Sequence, residues 1–97
     1  MSQVAVTALL TITPGLEAEF EALLAPLVTA TRAEQGCLRY EPHRTEEIGR
    51  YCILEQWQSQ EHLDRHLDSE HIATFRQASA KSLGAAEITV WRAFDPA

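Results

Sequence analysis

Lysine is nearly absent from this chain. Lys81 is the only one, and eight basic side chains face fourteen acidic ones, for a formal charge of −6. A nucleic-acid footprint needs a dense basic face, and none can be drawn; an anionic membrane is disfavoured for the same reason. Glycine is also scarce. The four glycines are scattered and form no dinucleotide or phosphate loop. There is no G-x-S-x-G elbow, and Cys37 and Cys52 carry neither a nucleophile signature nor a metal-binding spacing. Lys81 does not sit in an apolar run, which argues against Schiff-base chemistry. A chain of this size has no room to hold FAD internally. Any catalysis has to work with His, Trp, Tyr, Glu and Arg, and no cofactor is expected.

The N-terminal segment lacks charge altogether: no side chain in residues 1–16 is ionic. A secretory signal needs a basic start, which Met1-Ser2-Gln3 does not supply. Val4 to Thr13 is too short to cross a bilayer. A cytoplasmic location is expected, with both cysteines as reduced, buried thiols.

What the chain does have is an ordinary globular composition. Its 97 residues are 45% hydrophobic and 23% charged, which predicts one domain over 1–97. A chain this short buries only about 60–70% of its unfolded surface. A sizeable ligand cavity would therefore favour an oligomer.

Residues 4–13 alternate as a strand, with Val4, Val6, Ala8, Leu10 and Ile12 on one face and Ala5, Thr7, Leu9 and Thr11 on the other. Neither face is charged, so both are expected to be covered. After Pro14-Gly15 the period changes. Leu16, Phe20, Leu23, Leu24, Leu27, Val28 and Thr31 mark an amphipathic helix ending near Gly36, with Pro26 expected to bend it. Residues 37–46 and 50–58 read as two strands joined through Gly49, and Pro42 marks an edge position. Ser59 and Ser69 are N-caps of two helical segments, the second stopped by Gly84. Residues 87–94 read as a last strand. The order β-α-β-β-α-β is the α+β, ferredoxin-like arrangement. Its helices cover one sheet face. The apolar second face, with Leu9, Cys52 and Leu54, predicts that two copies meet sheet to sheet as a homodimer.

Three histidines cluster in His62-Leu-Asp-Arg-His66-Leu-Asp-Ser-Glu-His71. His62 and His66 have the i, i+4 spacing of a metal pair, but the HExxH form is missing. A third ligand would have to be Glu70, His71 or His43, and the reading carries no metal. His62 is expected to be a solvated helix residue. His66, between Leu63 and Leu67, faces the sheet. There it is either a core histidine satisfied by a partner or a general base in a cavity. His71 could line the same cavity. Trp57 is core, a cavity lid or the flat wall of an aromatic pocket. Glu55 shares its face and, if covered, needs a partner that Arg39 or Arg92 could supply.

Glu55-Gln56-Trp57, followed by His62-x3-His66-Leu67-x-Ser69-x-His71, resembles the antibiotic biosynthesis monooxygenase family, in its small quinol-monooxygenase-like branch. Pro14-Gly15 before an acidic helix and Gln35-Gly36-Cys37-x2-Tyr40 match as well. The resemblance spans nearly the whole chain. It implies a dimeric α+β barrel and, for some members, oxygenation of electron-rich phenols or quinols without metal or flavin. It places Trp57 and His66 at pocket positions and His71 at a recurrent helix-start position. The chain has no asparagine, which several members use to position substrate or oxygen. Haem-degrading relatives carry tryptophan where His66 stands and a histidine ligand near Arg76, so haem degradation is not expected.

The resulting expectation is a cofactor-free monooxygenase acting on a small aromatic substrate and dioxygen. His66 is the base or donor, and Trp57, His71, Tyr40 and Phe75 shape the pocket. An isomerase of a small carbonyl compound is one alternative. A phosphorylated substrate would then call on Arg44, Arg65 and Arg76. A non-catalytic binding dimer is another.

Overall fold

The computed structural model describes residues 2–97. The elements are β1 (Val4–Ile12), α1 (Glu17–Arg32), β2 (Cys37–Arg44), β3 (Arg50–Trp57), α2 (Gln60–Leu67), α3 (Glu70–Ser79) and β4 (Leu83–Arg92). One antiparallel sheet runs β2-β3-β1-β4, with the helices on one face. This is the α+β, ferredoxin-like arrangement expected from the sequence, its second helix divided in two. None of these helices is long and apolar enough to cross a membrane.

The alternation in β1 decides which face is core. Val4, Val6, Ala8, Leu10 and Ile12 are all buried, while Ala5, Leu9 and Thr11 are exposed. Register carries that choice across the sheet. Ala8 pairs with Ile53 and Ile88, and Val6 pairs with Glu55 and Val90. Tyr40 pairs with Glu55, which brings a phenol and a carboxyl onto the covered face. Pro42 lies on the edge strand β2, where its missing N–H breaks no inner ladder.

Local signals fix the helix starts. Gly15, at φ +91°, turns the chain, and its N–H donates to the Glu17 carboxylate at 2.9 Å. The Ser59 and Ser69 hydroxyls accept from the N–H groups of His62 and Ile72. Helix α1 continues through Pro26 and buries Phe20, Leu24, Leu27, Val28 and Thr31 on the stripe read from its periodicity.

Three boundaries differ from the sequence reading. The loop between β2 and β3 is five residues, Thr45 to Gly49, because β2 stops at Arg44 rather than at 46. Gly84 does not stop α3. A turn closed by Ser82 N–H to the Ser79 carbonyl does so, and Gly84 lies within β4. A Cβ at Gly84 would stand 3.2 Å from the Thr11 carbonyl oxygen, beside the irregularity where β1 meets β4. Strand β4 accordingly spans Leu83–Arg92 rather than 87–94.

The helices leave the β4 side of the sheet open. Ile88 and Val90 belong to the core face by register, yet they are 58% and 44% exposed. The sheet's other face presents Leu9 and Trp91 to solvent, with Cys52 and Leu54 half-buried.

Candidate active site

Between the sheet and helices α2 and α3 lies a cavity of about 210 Å³ that opens along β4. Ile53, Ile88 and Val90 form its floor; Leu63, Ile72 and Phe75 form its roof. Four polar side chains enter this apolar space: Tyr40, Glu55, His66 and Arg76. Phe75 packs edge-on against Phe20, with ring centroids 5.9 Å apart.

His66 is 2% exposed and held from three sides. Its ring lies over Trp57 at 4.6 Å between centroids and meets Tyr40 edge-on at 5.5 Å. Its Nδ1 lies 2.5 Å from Glu34 Oε2. A carboxylate only accepts, so the proton sits on Nδ1 and Nε2 keeps its lone pair. Burial lowers the His66 pKa, and the Glu34 bond only partly opposes this. The imidazole is therefore neutral at neutral pH, a base with its tautomer fixed from behind.

Glu34 is the residue that sequence reasoning missed. It sits in the turn after α1 and binds both histidines, since His71 Nε2 donates to the same Oε2 at 2.8 Å. Thirty-two positions separate it from His66. A glutamate just before a helix-ending glycine is unremarkable in sequence, and only the packing of that turn against α2 and α3 gives it a role.

The remaining candidates divide. Tyr40, His66 and Phe75 line the cavity. Trp57 is fully buried beneath His66 and supports its ring rather than forming the cavity wall. His71 is not in the cavity lining; it lines a separate groove of about 440 Å³ between α1 and α3 and joins the site through Glu34 and through its ring, whose centroid is 5.9 Å from that of His66. His62 is not solvated, as the sequence suggested. It is buried, its Nδ1 lies 2.7 Å from Ser59 Oγ, and its ring fills the space where Gly36, at φ +87°, has no side chain. The i, i+4 pair is thereby divided, with His62 turned to the N-cap and His66 to the cavity. His43 is exposed on β2 and bonds the Glu41 carbonyl.

Glu55 takes neither of the arginine partners considered. Arg39 pairs with Glu41, and Arg92 donates to Gln60. The Glu55 partner is the Trp57 indole, whose Nε1–H donates to Oε1 at 3.0 Å. Burial raises the pKa of Glu55, and burial likewise raises that of Tyr40. Of the three arginines a phosphate would need, Arg44 pairs with Glu21, Arg65 pairs with Glu61, and Arg76 alone lines the cavity. Both cysteines are free, and burial raises their pKa values too.

The Glu55 environment gives a stability prediction. A raised folded pKa means that the folded state holds this proton more tightly than the unfolded chain. Stability therefore declines as pH rises from the ordinary glutamate range through the raised folded value. Glu55→Gln keeps an oxygen to accept from the indole and never ionises. Its melting temperature should exceed that of the parent at pH 7, and the gap should close near pH 4. A parent at least as stable at both pH values would show that Glu55 bears no burial cost.

A largely apolar cavity, a buried imidazole backed by a carboxylate, and a ferredoxin-like sheet meet in this small α+β domain. The sequence profile of the antibiotic biosynthesis monooxygenase family matches residues 3–78, and the chain belongs to that family. It is 35% identical over 75 residues to Rv0793 of Mycobacterium tuberculosis, a candidate monooxygenase by name, covering 77% of this chain and 74% of that protein. The structure of Rv0793 superposes with a TM-score of 0.90 at 32% identity, over 99% of both chains. PA3566 from Pseudomonas aeruginosa gives 0.91 at 28% identity, over 98% of this chain and 97% of that one. A shorter likeness is to N-terminal EF-hand calcium-binding protein 1 of Mus musculus, 31% identical over 71 residues, which are 73% of this chain and 20% of that protein.

Proposed function

We propose that this monooxygenase-family protein oxygenates a small quinol or phenol without a metal or flavin. The observation that carries the reading is that His66 lines an apolar cavity while its Nδ1 is held 2.5 Å from Glu34 Oε2, an arrangement that leaves Nε2 as the free nitrogen.

The chemistry needs little from the protein. His66 Nε2 removes a phenolic proton, and the electron-rich phenolate gives one electron to dioxygen. The resulting radicals combine at ring carbon, a hydroperoxide forms, and water leaves with the proton returned by His66. Quinol plus dioxygen gives hydroxyquinone plus water, so the substrate supplies all four electrons and no external reductant enters. Tyr40, whose phenol burial keeps protonated, is a donor on the wall, able to bond the developing oxyanion. Apolar walls exclude water from the radical pair.

Size narrows the substrate. The cavity volume falls below the roughly 300–1,000 Å³ of ordinary ligand pockets, which suits one or two fused rings with an end emerging beside Ile88 and Val90. A second copy packed on the outer sheet face, over Leu9, Leu54 and Trp91, completes the reading as a cytoplasmic homodimer. The likeness to a fifth of a calcium-binding protein favours a second reading, a ligand-binding domain without turnover.

The test is oxygen uptake with a menadiol-like substrate in chelator-treated buffer, with sedimentation run alongside. Consumption stoichiometric with product and a species twice the 10.9 kDa chain mass are expected. Turnover unaffected by removing oxygen would point to isomerisation, and tight binding without turnover to a carrier.

A further inference from the structure

The edge of the His66 ring turned from the cavity carries a cluster of which the proposed oxygenation uses only the Glu34–His66 contact; the bond from His71 to the same carboxylate is left without a part in it. We propose that Glu34, His66 and His71 form a site for a borderline transition-metal cation, Zn²⁺ in the first instance, and that its occupation switches the base off.

Three observations carry the site. The donor set is two imidazoles and one carboxylate, a combination that suits zinc and its neighbours rather than magnesium or calcium. The three ligand atoms, His66 Nδ1, His71 Nε2 and Glu34 Oε2, lie within 4.8 Å of one another. They come from three separate segments, the turn after α1, the last turn of α2 and the first turn of α3, so the fold converges them. An entry path exists, because the Glu34 and His71 side chains are 16% and 26% exposed while His66 is 2% exposed. His62, the partner that i, i+4 spacing would nominate, is absent from the cluster.

In the metal-free state a proton occupies each of the two N···O contacts, at 2.5 and 2.8 Å. Bonds of about 2.0–2.2 Å to zinc place neighbouring ligand atoms roughly 3.4 Å apart in a tetrahedral shell. Glu34, in a turn with solvent on one side, has to withdraw by less than ~1 Å, and the two imidazole nitrogens, which lie within 4.8 Å of each other, have to settle to the same spacing. The fourth position is left to water.

The consequence for the base follows from the imidazole itself. Zinc needs the Nδ1 lone pair, so the proton now on Nδ1 moves to Nε2, and His71 makes the matching shift from Nε2 to Nδ1. No net proton is released. Nε2 then presents a hydrogen to the cavity instead of a lone pair. It can donate but not abstract, and deprotonation of a quinol stops. The site stands on geometry alone; its inhibitory effect rests on the reading of His66 as base.

Zinc binding to the chelator-stripped protein, followed by calorimetry and by the visible spectrum of the Co²⁺ form, separates the two. One ion per chain and a tetrahedral cobalt spectrum are expected, with no response to Mg²⁺. Glu34→Gln and His71→Ala should weaken binding beyond the roughly 10–100-fold that loss of an outer-shell partner costs, and His43→Ala should leave it unchanged. Metal-free melting curves establish that each variant is folded. Oxygen uptake should fall as zinc binds and return with chelator. Failure of zinc to bind, or binding that survives His71→Ala, overturns the site. Full oxygen uptake by the zinc-loaded protein overturns the switch. If no uptake occurs under any condition, the oxygenase reading fails, while the binding data still decide the site.

Discussion

Replacing His66 with alanine lowers oxygen uptake on a small quinol by ~10²-fold or more, the ordinary worth of a positioned base. The expectation rests on the neutral ring. Burial keeps His66 unprotonated, Glu34 fixes the proton at Nδ1, and Nε2 is left with a lone pair at the cavity. The loss should fall on kcat, because Ile53, Phe75 and Ile88 still bind the apolar substrate. Imidazole added to the alanine variant should restore part of the rate, since the vacated space can hold it. Glu34→Gln should slow the reaction less. Its amide can accept from Nδ1–H but no longer carries the charge that stabilises the imidazolium formed during turnover. An alanine variant as fast as the parent would take His66 out of the chemistry and leave Glu55 as the candidate base.

Trp57→Ala should produce the largest loss of stability. Its side chain is wholly buried, carries the His66 ring and donates to Glu55. Truncating a buried tryptophan costs about 3–5 kcal/mol through lost burial and the cavity left behind, and here a buried carboxyl also loses its donor. Against a total stability of about 5–15 kcal/mol, that is a large share. A domain of this size loses roughly 4–8 °C of Tm per kcal/mol, so a fall of more than ~10 °C is expected. Trp57→Phe should recover most of the packing and none of the hydrogen bond. Thermal and urea melts of the three proteins separate the two contributions. A loss below about 1 kcal/mol for the alanine variant would mean that the neighbouring side chains collapse into the space.

The two substitutions act at different levels of one assembly. Trp57 is a support and His66 a reacting group, and the 4.6 Å between their rings links stability to chemistry. Glu55→Gln probes that link from the other side, since it changes a charge while leaving the indole hydrogen bond an acceptor.

Much of this fold is legible residue by residue. Strand β1 alternates with period two, so its buried face is fixed as soon as it pairs. The stripe from Leu16 to Thr31 specifies a helix and its covered side, and Ser59 and Ser69 mark helix starts because their hydroxyls satisfy free N–H groups. These are local properties, decided within a few residues, and from them follow the element order, the core and the direction in which His66 points. The site partners are another matter. Glu34 meets His66 and His71 across more than thirty positions, and Glu55 bonds an indole while the two arginines considered for it are engaged by Glu41 and Gln60. Side-chain reach, register and the turn at Gly36 make those choices, and none of them leaves a period or a spacing in the chain. The sequence alone determined which groups lie inside; only the packing of turn, helix and sheet decided which of them touch, because contact distance depends on how separate elements dock and not on the pattern within any one of them.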